Sequence, residues 1–200
     1  MGKSWSHLLV RPLARLLIPL GVTPNQITAF HLVMGLGIVA AIAWGTPQAN
    51  LWAGVAWLVA CLLDRLDGEV ARVGNLSSPW GHKFDFFVDN LLGALFFLGL
   101  GIGLRHAPLG AWAMGAGALA ALNQFTLNHV AEAFDSAAEG EKILASKWGF
   151  DADDALYLLG PLLWFPTPVR EVATVLAAGA TTFFLMLFLR RLAALRRRQA

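Results

Sequence analysis

Four aspartates fall within one short stretch of a 200-residue chain that is 57% hydrophobic. The stretch reads Asp64-x-x-Asp67-Gly68-x-x-Ala71-Arg72, then eight residues, then Gly81-x-x-x-Asp85-x-x-x-Asp89. An ionisable side chain at membrane depth is expensive, so it defaults to a functional reading with a named partner. Four acids together require cations. Asp64 and Asp67 are spaced i, i+3 and Asp85 and Asp89 i, i+4; either spacing places both carboxylates on one helix face. Between the pairs, Gly74, Asn75, Ser77, Ser78 and Pro79 predict a turn. Two antiparallel helices would then present their carboxylates to each other. Such an oxygen-rich cage suits hard divalent ions, Mg²⁺ or Mn²⁺, rather than zinc, which prefers His and Cys. Two such ions would balance the four carboxylates, leaving Arg72 and Lys83 to meet an anionic substrate such as a pyrophosphate. Gly68, Ala71 and Gly81 are small enough for two helix backbones and a ligand to come close.

The elements that must carry these residues are membrane helices. Charged residues make up 14% of the chain and mean hydropathy is +0.60, outside the soluble globular range. The expected fold is all-α and integral to the membrane, with six transmembrane helices and an N-terminal amphipathic helix in the interface. That helix covers residues 4–20, where leucines alternate with His7, Arg11 and Arg15. Spans are expected over 27–44, 51–71, 81–104, 109–133, 155–165 and 172–189; the fifth is short and contains Pro161. The domain reading is 1–22 as a juxtamembrane segment and 23–200 as one six-helix domain. Arg11, Pro12, Arg15 and Pro19 break up the first residues, so no cleavable signal peptide is expected.

Lysine and arginine set the orientation. With six spans, one side holds Lys3, Arg11, Arg15, Lys142, Lys147, the Arg190–Arg198 cluster and the turn beside Arg72 and Lys83; the other holds Arg105 and Arg170. Both termini and the aspartates are therefore expected on the cytoplasmic side, and the short loops favour a bacterial inner membrane. The terminal arginine cluster is read as an anchor to anionic headgroups, not as a nucleic-acid site. The single cysteine, Cys61, lies in an apolar run and reads as a buried small hydrophobe. The tryptophans fall mostly near span ends, as an aromatic belt would.

The motif resembles the signature of the CDP-alcohol phosphotransferase family, D-x2-D-G-x2-A-R-x8-G-x3-D-x3-D, and matches every fixed position. Thr23-Pro24-Asn25-Gln26-Ile27-Thr28 is similar to the Pro-Asn-x-x-Thr that precedes the first span in many members. The resemblance implies that a CDP-linked donor gives its substituted phosphate to an alcohol, with CMP leaving. It implies that Asp64, Asp67, Asp85 and Asp89 hold two divalent cations, Mg²⁺ or Mn²⁺, and that Asp89 is the general base. Gly68, Ala71, Arg72, Gly81, Asn25 and Thr28 would bind the nucleotide, although Asn25 reads equally as a helix cap. A homodimer is also implied.

Lys142, Lys147, His82 and Asn128 are candidates for the acceptor site, each with a plainer reading: solvated loop lysines, an interfacial histidine, and interhelical hydrogen bonding by Asn128, as for Asn123 and His129. Glu69 and Arg65 sit between motif positions and are expected to face solvent or a partner subunit. Asp151, Asp153 and Asp154 read as charges at the start of the fifth span. The donor is expected to be CDP-diacylglycerol and the acceptor a polyol or polyol phosphate. The alternative is a CDP-choline or CDP-ethanolamine type of donor with a lipid alcohol. An aromatic prenyltransferase would need two separated aspartate clusters, and a cation channel would not need Gly68-x-x-Ala71-Arg72. A dead scaffold fits poorly with four acids in place.

Overall fold

The computed structural model describes residues 5–137 and 156–199. In order these form α1 (Trp5–Leu17), a 3₁₀ turn (Ile18–Leu20), α2 (Pro24–Trp44), α3 (Pro47–Val73), α4 (Pro79–Gly103), α5 (Gly110–Ala137), α6 (Leu159–Leu162) and α7 (Thr167–Gln199). There is no strand among the described residues.

Three of the long helices begin with the same device: a hydroxyl residue at the N-cap followed by proline at the first helical position. Thr23 accepts from the Gln26 amide at 3.4 Å, Thr46 from the Ala49 amide at 3.2 Å and Ser78 from the Gly81 amide at 3.0 Å. The proline needs no amide partner there, and its fixed φ suits the first turn. α2, α3 and α4 therefore start two to four residues before the hydrophobic stretches expected at 27, 51 and 81.

Among the described residues, four helices are long and apolar enough to cross a membrane: Pro24–Trp44, Pro47–Val73, Pro79–Gly103 and Thr167–Ala194. The expected fourth span is a 28-residue helix, α5, whose apolar run is interrupted by Asn123, Gln124, Asn128 and His129. The expected fifth span is different. Residues 156–158 form a 3₁₀ turn and α6 is four residues long, a rise of roughly 6 Å at ~1.5 Å per residue. Pro161 within α6 and Pro166 just beyond it limit any regular helix.

The packing order places the helices. α3 lies against α1, α2 and α6; α4 lies against α2 and α5; α5 also packs on α7. The core at the end far from the aspartates is built around Ile42, Trp57, Phe96, Leu100 and Leu104. Trp57 is a core residue here rather than part of a belt: its ring stacks obliquely 4.5 Å from Phe96 and its indole N–H donates to the Leu156 carbonyl at 3.0 Å. Trp44, Trp52, Trp80 and Trp112 stay exposed, as expected of a belt. α4 and α5 approach at glycines, where a Cβ on Gly101 would lie 3.0 Å from the Gly117 Cα. Cys61 is buried.

α1 lies on α3 through Val10 and Ala14, which are buried with Ile27, Leu66 and Val70. Its exposed face carries Leu9, Leu13, Leu16 and Arg15.

Candidate active site

The turn between α3 and α4 sets up the site. Gly74 follows the last residue of α3, and Asn75 takes the left-handed backbone region at φ 52°. Asparagine tolerates that region better than most residues. The Leu76 amide and Ser77 hydroxyl donate to the Ala71 carbonyl at 2.9 and 3.3 Å, satisfying the end of α3. Ser78 then caps α4. The chain reverses within a few residues, so the C-terminal turns of α3 face the N-terminal turns of α4. The N-terminal turns of α2 come to the same end and close a third side.

An open cleft of about 300 Å³ lies between these three ends. Its α2 wall is Pro24, Asn25 and Thr28; its α3 wall is Asp67, Gly68, Ala71 and Arg72; its α4 side includes Gly81, His82 and Asp85. All six residues expected at a nucleotide, Asn25, Thr28, Gly68, Ala71, Arg72 and Gly81, therefore line one cleft together with two of the four aspartates. Gly81 opens towards α2: an added Cβ would lie 3.0 Å from both Asn25 Oδ1 and Ser78 Oγ. An added Cβ on Gly68 would lie 3.4 Å from the Arg72 guanidinium. Asn25 is not the cap of α2. Thr23 is, in a capping box with Gln26, which leaves the Asn25 side chain to the cleft.

Asp67 is 2% exposed and accepts a 2.6 Å hydrogen bond from the Thr28 hydroxyl, itself 2% exposed. Asp64 and Asp89 lie one helical turn further from the connecting turn. There they meet His31 of α2, and one ligand atom from each of the three residues falls within a 4.8 Å group. His31 Nδ1 is 3.9 Å from Asp89 Oδ1. The aspartates thus form two layers, with Asp67 and Asp85 at the cleft and Asp64 and Asp89 beneath.

The donor set fits divalent cations. Asp85 Oδ1, Asp89 Oδ1 and His31 Nδ1 are buried atoms with no hydrogen-bond partner among the described residues. Buried polar atoms are nearly always satisfied, so such a cluster points to an ion. Carboxylate oxygens from the facing helices α3 and α4 are the ligands that Mg²⁺ and Mn²⁺ take. Asp89 has a second feature: its side chain keeps 39% of its surface although Oδ1 is buried.

The expectation that Glu69 and Arg65 face solvent or a partner is overturned. Glu69 is fully buried, bonded to Arg72 at 3.0 Å and paired with Arg11 of α1 at 3.6 Å. Two guanidiniums drawn from two helices satisfy a carboxylate that water cannot reach. The Arg65 side chain is 11% exposed and lies 3.9 Å from Asp64.

Of the acceptor candidates, His82 is exposed and lines the cleft. Asn128 lies on α5 and donates to Asn90 Oδ1 at 3.1 Å, while Asn90 meets His129 Nδ1 at 2.8 Å. This polar cluster bridges α4 and α5 beside Asp89, and Asn123 bridges α5 and α7 through Thr182 at 2.7 Å. Lys142, Lys147, Asp151, Asp153 and Asp154 lie outside the described residues. His31 was missed in the sequence. Its signal was there: an ionisable residue inside an expected span, three positions after Thr28 and so on the same face.

Comparison with known proteins agrees with this geometry. The profile of the CDP-alcohol phosphatidyltransferase family matches residues 21–194. Phosphatidylinositol phosphate synthase of Corynebacterium glutamicum is 33% identical over 97 residues, 48% of this chain and 43% of that protein. Cholinephosphotransferase 1 of Gallus gallus is 32% identical over 96 residues, 44% of this chain and 29% of that protein. The matched stretch thus spans less than half the length of either relative. Phosphatidylinositol phosphate synthase of Mycobacterium tuberculosis shares the fold. Its structure with CDP-DAG bound superposes with a TM-score of 0.73 at 19% identity, covering 92% of each chain. Its structure with manganese and citrate gives 0.71 at 20% identity, covering 92% of this chain and 88% of that one.

Proposed function

The chain belongs to the CDP-alcohol phosphatidyltransferase family, and from that premise we propose that it is an integral membrane transferase that moves a substituted phosphate from a CDP-linked donor to an alcohol and releases CMP. The observation that carries this reading is the convergence of α2, α3 and α4 on one cleft, with the motif aspartates at its floor and beneath it.

Asp64, Asp67, Asp85 and Asp89 would hold two divalent cations. Bound there, the cations supply charge neutralisation for the donor's pyrophosphate and for the departing CMP phosphate. The remaining work falls to this chain's own residues. Gly68, Ala71 and Gly81 leave room for the nucleotide against the helix backbones. Arg72, aimed by Glu69, meets the nucleotide phosphate. Thr28 fixes the Asp67 carboxylate. The acceptor oxygen forms a bond to the phosphorus that carries the donor's substituent, the bond from that phosphorus to the CMP oxygen breaks, and the hydroxyl proton passes to the Asp89 carboxylate. Proton transfer in a loose phosphoryl transfer comes late, once the hydroxyl has become acidic, so a carboxylate suffices.

We take CDP-diacylglycerol as donor and a polyol or polyol phosphate as acceptor, to make a phospholipid. The support is the Mycobacterium tuberculosis relative, which shares the fold over 92% of both chains and was crystallised with CDP-DAG. The match to a cholinephosphotransferase favours a second reading, a small head group passed from CDP-choline or CDP-ethanolamine to a lipid alcohol. In the membrane we place six crossings, with α5 and the segment through α6 added to the four apolar helices. The termini and aspartates face the cytoplasm of a bacterial inner membrane, α1 lies in the interface as the juxtamembrane segment 1–22, and 23–200 form the catalytic domain. A second copy of the chain completes a homodimer, as the family resemblance implies.

The test is product identification. Purified protein in detergent with Mg²⁺ or Mn²⁺ is given CDP-diacylglycerol, CDP-choline or CDP-ethanolamine, each with a panel of alcohols. CMP and a phospholipid formed from CDP-diacylglycerol alone support the first reading; turnover of the head-group donors alone supports the second. No CMP from any pair contradicts both.

A further inference from the structure

We propose that His31 is a nitrogen ligand to the inner of the two cation positions, sharing that ion with Asp64 and Asp89 and biasing it towards Mn²⁺ over Mg²⁺. The inference rests on the metal-dependent reading above and adds a ligand that the four-aspartate motif does not contain.

Three independent observations converge on His31. It is 6% exposed, on α2, and reaches an acidic pair carried by α3 and α4. Its Nδ1 is buried with no hydrogen-bond partner among the described residues, and so is the facing Asp89 Oδ1. The two orphaned atoms stand 3.9 Å apart, too far for a hydrogen bond to each other. An ion with ligand bonds of about 2.1 Å reaches donors up to about 4.2 Å apart, so this gap is of the size one cation bridges. Asp64 offers the third ligand atom of the same group. A buried imidazole satisfied only by packing would have its ring nitrogens on backbone carbonyls or hydroxyls. The exposed His129, by contrast, has partners for its Nδ1, the Phe125 carbonyl at 2.9 Å and the Asn90 amide at 2.8 Å.

The chemistry of the donor follows from its softness. Mg²⁺ takes oxygen almost exclusively, whereas imidazole nitrogen suits first-row transition ions, and affinity for an N/O site rises from Mn²⁺ onward. One nitrogen among carboxylates therefore separates Mn²⁺ from Mg²⁺ at the inner position while leaving the outer position, Asp67 and Asp85, all-oxygen. The proposal concerns which ion the chain prefers and does not alter the roles of the four aspartates.

The experiment is electron-spin-echo spectroscopy of Mn²⁺ bound to the full chain in detergent, beside its activity. A directly ligated imidazole imprints a ¹⁴N modulation on the Mn²⁺ echo, and protein grown with ¹⁵N-imidazole histidine changes that pattern without any substitution. We expect the modulation in the unaltered chain, its replacement by the ¹⁵N pattern on labelling, its loss in His31→Gln and its retention in His106→Gln. We also expect Mn²⁺ affinity in His31→Gln to fall by about tenfold or more, with Mg²⁺ affinity changing less. Mn²⁺ bound without nitrogen modulation in the unaltered chain overturns the proposal, even if His31→Gln fails to fold. So does modulation that persists in His31→Gln. The two readings separate cleanly. Metal-dependent CMP release without nitrogen coupling leaves the transferase and removes the ligand; nitrogen coupling without CMP release from any donor does the reverse.

Discussion

Replacing Thr28 by valine removes one hydroxyl from the site and almost nothing else. Thr28 and Asp67 are each 2% exposed, and the hydroxyl sits 2.6 Å from Asp67 Oδ2. It also lies 3.1 Å from the Pro24 carbonyl. A hydroxyl has one proton, and the shorter, charged acceptor takes it. Valine keeps the branched shape and the helix rotamer, so α2 should pack unchanged. A hydrogen bond to a charged group contributes about 1.5–3 kcal/mol. If that energy serves to hold Asp67 in its ligating orientation, Thr28→Val weakens cation binding by roughly 10- to 150-fold, since ~1.4 kcal/mol is a factor of ten. Thr28→Ser retains the hydroxyl and should recover most of the loss. The assay is a Mn²⁺ titration of CMP release, which reads the concentration for half-maximal rate and the rate at saturation separately. We expect the first to rise and the second to change little, because excess metal restores occupancy. Unchanged metal dependence in Thr28→Val would refute the claim that this bond orients a metal ligand. An equal loss in Thr28→Ser would show that packing, not the hydroxyl, is what matters.

Other substitutions separate the parts of the site. Glu69→Gln leaves the shape but removes the charge that holds Arg72 and Arg11. We expect a rise in KM for the CDP donor of about tenfold, within the ~1.5–3 kcal/mol of a charged hydrogen bond, with metal dependence unchanged by titration. Gly81→Val puts a branched side chain where a Cβ already lies 3.0 Å from Asn25 Oδ1. CDP binding measured by calorimetry should fall while Mn²⁺ binding persists. Chelation by EDTA should abolish CMP release, and adding Mn²⁺ back should restore it.

Much of the site was legible because its chemistry is local in sequence. The Asp64–Asp89 stretch carries both helix faces and the turn between them, so spacing alone predicts two opposed carboxylate pairs. The third wall comes from α2, and only the Asn25 and Thr28 positions hinted at it. His31 was overlooked because a lone histidine in an apolar run gives no spacing signal towards residues more than thirty positions away. Glu69 was misplaced for a related reason. It sits two residues past Asp67, on a different face of α3, and its burial depends on α1 laying Arg11 across it, a long-range contact that helical periodicity does not encode. The helix starts were missed by a few residues because hydropathy ignores caps, although Thr23-Pro24, Thr46-Pro47 and Ser78-Pro79 state them. α6 shows the reverse, an element less regular than its apolar sequence. Its apolar residues suggested a span, but Pro161 and Pro166 leave four residues of regular helix.

The central claim is that the four motif aspartates, at the cleft and beneath it, make this chain a metal-dependent transferase of a phosphate carried by a CDP-linked donor. The most direct measurement is the time course of CMP release from CDP-diacylglycerol with a polyol phosphate acceptor and Mn²⁺, comparing the unaltered chain with Asp85→Asn at matched monodispersity and helicity. The account predicts steady CMP release by the unaltered chain and a loss of at least about a hundredfold in Asp85→Asn, as for removal of a catalytic electrostatic contact. Equal rates in the two proteins would contradict it.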